Sequence, residues 1–279
     1  MIAGLSVSNI AWRPDEEAAV LPLLRAQGFT GVEVAPSVIW PDWEGATPGA
    51  AVKVAQHLAD EGFTVPALQA ILYGRPDHKL FADAESRQRT LDHLAFVAEL
   101  GAALGAKIMV FGSPGNRDRG DLSPEDAFER GVAFFSEAAE LCAARGVSLG
   151  LEANPSVYKC NFLTHWHEAA AMVEAVDSPG LRLHLDTACT HLEGDSPVEA
   201  IGKAAARAAH FHVSEPQLSD LSAPVLDHAE IGAALKASGY SGWVSVEMRR
   251  SDDPLKSIGE AVAKVAVWYG DRSQARGVG

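Results

Sequence analysis

The chain has 279 residues, 47% of them hydrophobic and 22% charged, with a formal net charge of −14 at pH 7. That length suits one large α/β barrel with a substantial core. The acidic balance argues against the basic face that phosphate neutralisation demands of a nucleic-acid binder, and the sequence has no run of about 18 apolar residues to form a transmembrane helix.

In chain order, strand-like apolar runs open near Ile2, Gly31, Val65, Ala106, Ser148, Leu181, Ala209 and Gly242. The opening segment MIAGLSVSNIAW lacks a basic n-region and reads as the first strand, so a secretory signal is not expected. Helix-like segments lie between the runs. Asp15 to Gln27 carries Ala18, Ala19, Leu21, Leu23 and Leu24, and Thr47 to Glu61 carries Val52, Val54, Ala55 and Leu58. Asp83 to Leu104 is the longest of the early ones, and Ser123 to Arg145 opens with the cap-proline-acid sequence SPED. Thr164 to Val176, Ser196 to Ala209, His228 to Ser238 and Asp253 to Trp268 complete the series. Glycine closes several helices just before the next strand, as at Gly28, Gly62, Gly105, Gly146 and Gly239. Eight strands alternating with eight helices at roughly 30–40 residue spacing predict a single (β/α)₈ TIM barrel over residues 1–270, with 271–279 a flexible tail. The rival open doubly wound sheet lacks its Gly-rich turn after an early strand.

Cys142, Cys160 and Cys189 are too few and too scattered for a disulfide framework or a thiolate zinc site, which points to a reducing cytoplasm.

Four of the strand-like runs end on a potential metal ligand: SLGLE at Glu152, LRLHLD at Asp186, AHFH at His212 and WVSVE at Glu247. Side chains alternate across a strand. Leu149, Leu151, Leu181, Leu183, Leu185, Phe211, Val213, Val244 and Val246 therefore share an outer face. Glu152, Arg182, His184, Asp186, His210, His212, Ser245 and Glu247 face inward. In a TIM barrel the active site sits at the C-terminal ends of the strands. Glu152, Asp186, His212 and Glu247 are therefore candidate ligands for one divalent ion, Mn²⁺ ahead of Mg²⁺, Co²⁺ or Zn²⁺, since oxygen donors with one imidazole suit such metals. A structural ion network, for instance Arg182 with Glu33, is the plainer alternative for a single inward acid. Three packed carboxylates without a cation would be very costly. Such an ion would polarise a carbonyl, and Glu152 and Glu247, on separated strands, could take and return a proton on either side of a substrate carbon.

GLEANP, HLDT, HFHVSE and VSVE resemble the xylose isomerase-like barrel superfamily of sugar phosphate isomerases and epimerases. That group includes tagatose and psicose 3-epimerases, inosose dehydratases and endonuclease IV. The likeness extends along essentially the whole chain, and the segments SNIAW, GVEVAP and FGSPGNRDR look like an uncharacterised bacterial subgroup. The resemblance implies that Glu152, Asp186, His212 and Glu247 bind metal and that the two glutamates exchange protons. It also implies departures from the ketose epimerases: Cys189 stands where they carry a substrate-contacting His, and Leu218 where they carry an Arg. These bear on whether a free ketohexose is the substrate, and Lys159, His191 and the Asn116/Arg117/Arg119 group could supply other contacts.

Arg117 and Arg119, with Asn116, lie in a Gly- and Pro-rich loop at the active end, and arginine recognises carboxylate or phosphate in a two-point grip. Gln69 could hydrogen-bond substrate or only the barrel interior. Trp12, Trp40 and Trp43 could stack on a sugar or pack the rim. His184 and His210, one layer below the ligands, suit supporting hydrogen bonds, whereas His165 and His167 read as surface residues. The expectation is a metal-dependent isomerase or epimerase of a small sugar or polyol-derived substrate, with no nucleic-acid or membrane partner and a homodimer in prospect. A metal-dependent dehydratase or lyase of the inosose or dehydroshikimate type is the enzymatic alternative, and a sugar-binding barrel the non-enzymatic one. An endonuclease IV-type phosphodiesterase ranks below these, because such sites use several more histidines and duplex DNA disfavours an acidic surface.

Overall fold

The apolar runs become strands because leucine and β-branched side chains fit a pleated surface that helices cover on its outer face. The computed structural model describes residues 1–270; the expected tail lies outside the described residues. In chain order the elements are β1 (Gly4–Ser8), α1 (Glu17–Ala26), β2 (Gly31–Glu33), α2 (Pro36–Ile39), α3 (Pro48–Asp60), β3 (Ala67–Leu68), α4 (Ala84–Leu104), β4 (Ile108–Phe111), α5 (Pro124–Ala143), β5 (Ser148–Glu152), α6 (Trp166–Val176), β6 (Leu181–Asp186), α7 (Thr187–Leu192), α8 (Pro197–Ala204), β7 (Ala208–Ser214), α9 (His228–Ala237), β8 (Trp243–Glu247) and α10 (Pro254–Tyr269).

The eight strands are all parallel and hydrogen-bonded in the order β2-β1-β8-β7-β6-β5-β4-β3. Only short bridges join β2 to β3, at Gly31 with Thr64 and Val34 with Leu68. Val32 N–H donates to Thr64 O at 2.9 Å and Gln69 N–H to Val34 O at 2.9 Å. The sheet is thus a nearly closed barrel, the TIM architecture expected from the alternation.

The helices start where small polar residues precede them. Thr47, Asp83, Ser123, Ser196, Asp227 and Asp253 each accept a backbone N–H of the first turn, and losing such a cap costs about 1 kcal/mol. Two boundaries differ from expectation. The segment after Ser196 is helical only to Ala204 and tightens into a 3₁₀ turn at Ala205–Arg207 before β7 begins; no glycine stop marks that end. The short α7 was not anticipated. Asp186 is both the last residue of β6 and the cap of α7, so a helix begins directly at a candidate ligand.

The outer-face residues from Leu149 to Val246 are buried as the parity predicts. Inside the barrel, the Trp243 ring fills the floor: a Cβ on Gly4 would lie 2.5 Å from it, and one on Gly31 2.7 Å. Arg182 is a correction. It was expected inward, with a pairing to Glu33 as the plainer alternative for such a charge, but lies near the start of β6 and is exposed. A cation at that end reaches water without leaving the strand, and Glu33 is engaged by two histidines instead.

Candidate metal centre

Glu152, Asp186 and Glu247 are the last residues of β5, β6 and β8, and His212 lies two residues before the end of β7. Neighbouring parallel strands therefore bring the four side chains to one end of the barrel. His212 Nδ1 is 3.2 Å from Glu247 Oε2, 3.9 Å from Asp186 Oδ2 and 4.0 Å from Glu152 Oε1. Ligand atoms bonded at about 2.1 Å to one ion lie about 3.0 to 4.2 Å from one another. Despite its proximity to Glu247, His212 Nδ1 is buried and makes no hydrogen bond. A buried, unpartnered ring nitrogen facing three carboxylates fits a divalent cation.

The electrostatics carry the same message. Burial, the largest influence, pushes Glu152 above the usual carboxylate range and Glu247 up to about 7. Asp186 is raised by burial and then by the Glu152 charge. Burial alone would depress His212, but the Glu33 and Glu247 carboxylates outweigh it and hold the imidazole well above its ordinary value. The cluster thus favours positive charge at its centre, which a divalent cation would supply.

A surrounding layer orients these groups. Asp186 Oδ1 accepts the Cys189 N–H at 2.6 Å, and its Oδ2 accepts the Ser214 hydroxyl at 2.6 Å. Asn154 Nδ2 donates to Glu152 Oε2 at 2.6 Å. Gly112, following β4, leaves room for that carboxylate: a Cβ there would sit 2.3 Å from Glu152 Oε2. Glu33 on β2 receives His212 Nε2 at 2.9 Å and His210 Nε2 at 2.5 Å. Burial would raise Glu33, yet the two imidazoles lower it, so it stays anionic. His210 supports the cluster as expected. His184 lies 3.4 Å from Glu152 Oε1 through Nε2, yet neither of its ring nitrogens makes a hydrogen bond.

The remaining sequence candidates are dispersed. Gln69 is buried and donates to Ser8 Oγ at 2.7 Å. Arg117 is a correction: the guanidinium expected to face a substrate anion is fully buried. It donates to Glu152 O at 2.7 Å, Leu163 O at 3.4 Å and Cys160 Sγ at 3.4 Å. It braces the backbone of the Glu152 strand end. Asn116 turns its amide nitrogen to Arg75 O and His78 O, at 2.8 and 2.7 Å, and so ties the loops after β3 and β4 together. Arg119 likewise donates to Asn161 O at 3.0 Å. Lys159 and His191 are exposed and, among the described residues, enter no side-chain hydrogen bond or ion pair. Trp12, Trp40 and Trp43 are buried in the core cluster, so the rim-packing alternative holds. The Cys189 thiol is pushed well above its ordinary value by burial and then by Asp186, Glu152 and Glu247, which keeps it protonated and unsuited to nucleophilic attack.

Sequence reasoning gave Glu33 only a possible pairing with Arg182 and missed Asn154 and Ser214. Glu33 had a legible signal, an acid at the end of an apolar run in strand parity. Asn154 and Ser214 had none beyond lying two residues past a ligand.

A family model described as Xylose isomerase-like TIM barrel matches residues 21–267. The chain is 29% identical over 175 residues to an L-ribulose 3-epimerase of Mesorhizobium japonicum, covering 63% of this chain and 57% of that protein. The match spans little more than half of that relative's length. Among solved structures, one described as L-ribulose 3-epimerase superposes with a TM-score of 0.81 at 23% identity, covering 99% of this chain and 96% of the other. An IOLI protein with a bound zinc atom superposes with a TM-score of 0.71 at 18% identity over 95% of this chain and 96% of the other. At these identities the superpositions establish a shared fold.

Proposed function

The chain belongs to the xylose isomerase-like TIM barrel family, and from that premise we propose that it is a divalent-metal-dependent isomerase or epimerase of a sugar or sugar derivative. The observation that carries the proposal is the pair of glutamates, Glu152 buried and Glu247 partly buried, that flank His212 Nδ1 from strands on either side of β6 and β7. The likeness to an L-ribulose 3-epimerase supports it.

Glu152, Asp186, His212 and Glu247 would hold the ion. When bound, a divalent cation, Mn²⁺ ahead of Mg²⁺, Co²⁺ or Zn²⁺, supplies Lewis-acid polarisation of a substrate carbonyl. One glutamate then takes the proton from the carbon beside that carbonyl, and the other, protonated, returns one to the opposite face. The carbon is inverted, and atoms and charge balance over the cycle. Asn154 fixes the Glu152 carboxylate in the plane it needs. Asp186, held on both oxygens, stays a ligand. Substrate contacts by Gln69, Asn116, Lys159 and His191 belong to this proposal, whereas the inward-turned Arg117 acts through the Glu152 backbone. A net charge of −14 favours a small neutral polyol over nucleic acid, and no helix among the described residues is long and apolar enough to cross a membrane. Cytoplasmic residence and a homodimer complete the reading.

A dehydratase or lyase of the inosose type is the second reading. It begins with the same proton removal and then expels a β-hydroxyl. What favours keeping it is the mouth itself, where Cys189 and Leu218 replace the polar contacts of the ketose epimerases.

The deciding experiment is elemental analysis of protein purified without added metal, followed by chelation, metal add-back and solvent-deuterium exchange against ketoses and inososes. Deuterium entering one carbon without loss of water supports the isomerase reading, and Glu152→Gln should abolish it. An enone product moves the assignment to the dehydratase. A metal-loaded protein inert toward the whole panel would overturn both and leave a sugar-binding barrel.

A further inference from the structure

A second cluster of ligating side chains lies on the surface, in the segments that follow β5 and β6: His165, His167 and Asp195 offer one donor atom each, all within 4.8 Å of one another. We propose that these three residues form a zinc site separate from the carboxylate cluster.

The local backbone explains why the two histidines converge. Positions i and i+2 of a helix do not share a face, but His165 is the residue before α6 and is extended, with φ −97° and ψ 146°. Its side chain therefore swings over the first turn and stacks on His167, ring centroids 5.0 Å apart at 25°. The Trp166 ring, packed against the core, meets His167 edge-on at 5.6 Å and restricts it. Asp195 arrives from the turn between α7 and α8, with Oδ2 3.0 Å from His165 Nδ1. Glu193 Oε1 is 3.9 Å from His165 Nε2, while its other oxygen holds Ser156 N and Oγ at 2.6 and 2.9 Å.

The donor chemistry separates the two sites. The mouth offers three carboxylates and one imidazole, whereas this cluster offers two imidazoles and one carboxylate, with water for the fourth place. Imidazole-rich sets favour Zn²⁺ over Mg²⁺ or Mn²⁺. A zinc ion here ties the start of α6 to the α7–α8 turn. It thereby anchors the far end of the segment after β5, which carries Asn154 against Glu152.

The test is equilibrium dialysis of the full chain against micromolar free Zn²⁺, comparing wild type with His167→Ala. His167 is exposed and is none of the four mouth donors, so the variant should keep its fold, which melting in chelator verifies. Wild type should bind one more zinc per chain than His167→Ala, and Co²⁺ should give a visible ligand-field band that the variant lacks. An Asp186→Asn chain, weakened at the mouth, should keep that same equivalent, so this site and the isomerase reading stand or fall separately. Equal stoichiometry in wild type and His167→Ala, or an extra equivalent seen only at millimolar zinc, would overturn the proposal.

Discussion

Glu33, on β2, lies 2.9 Å from Nε2 of His212, on β7, although the two strands are not neighbours in the sheet. The carboxylate reaches across the barrel interior to Nε2, so the other ring nitrogen, Nδ1, is the one that faces the mouth carboxylates. It also takes His210 Nε2, so one buried anion fixes two rings. Such a carboxylate sets both the tautomer and the ligand strength of a metal-binding histidine.

Replacing Glu33 with Gln keeps its shape and removes its charge. Metal affinity should fall about 10- to 100-fold, read by competition with a chelator, while far-UV circular dichroism stays unchanged. Wild-type affinity in Glu33→Gln would show that the ring needs no anionic partner.

Arg117→Lys should destabilise the fold by about 3 kcal/mol in urea unfolding, because a buried charge loses partners it cannot replace. A lysine ammonium cannot span Glu152 O, Leu163 O and Cys160 Sγ as the guanidinium does. Since Glu152 O is one of those partners, isotope exchange should fall as well. A change in stability below about 0.5 kcal/mol, the scatter of ordinary surface substitutions, would place Arg117 outside the framework of the site.

Acid stability should report on His93 of α4. Its Nε2 meets Ile71 O at 2.9 Å and its ring lies edge-on to Trp43 at 4.7 Å. Burial, the dominant influence, lowers its pKa to about 4. The unfolded chain, with an ordinary value of about 6.5, takes up the proton first as pH falls. The contribution is therefore complete above about pH 6.5 and is lost progressively down to about pH 4. Between pH 7 and pH 4.5 the unfolding free energy should drop by roughly 2 kcal/mol more in wild type than in His93→Gln. Parallel pH profiles for the two proteins would remove His93 as a source of acid sensitivity.

Much of the barrel was legible because its signals are local. Alternation within SLGLE, LRLHLD, AHFH and WVSVE assigns each side chain a face, and a parallel sheet with helices outside gives those faces one inside. The gathering of Glu152, Asp186, His212 and Glu247 follows from strand order alone. Parity failed in effect at Arg182, where the position is inward but the strand start opens to water.

What the sequence by itself determined was the set of four candidate donors and the end of the barrel on which they lie, since both follow from a two-residue period and the direction of the chain. Only the tertiary structure decided which neighbours saturate those donors. Glu33 meets His212 from more than a hundred residues away, and Arg117 folds inward onto Glu152 O rather than outward to solvent. The physical reason is that a buried hydrogen bond is chosen by whichever partner the closed barrel and its loops bring within about 3 Å, a choice no local pattern encodes.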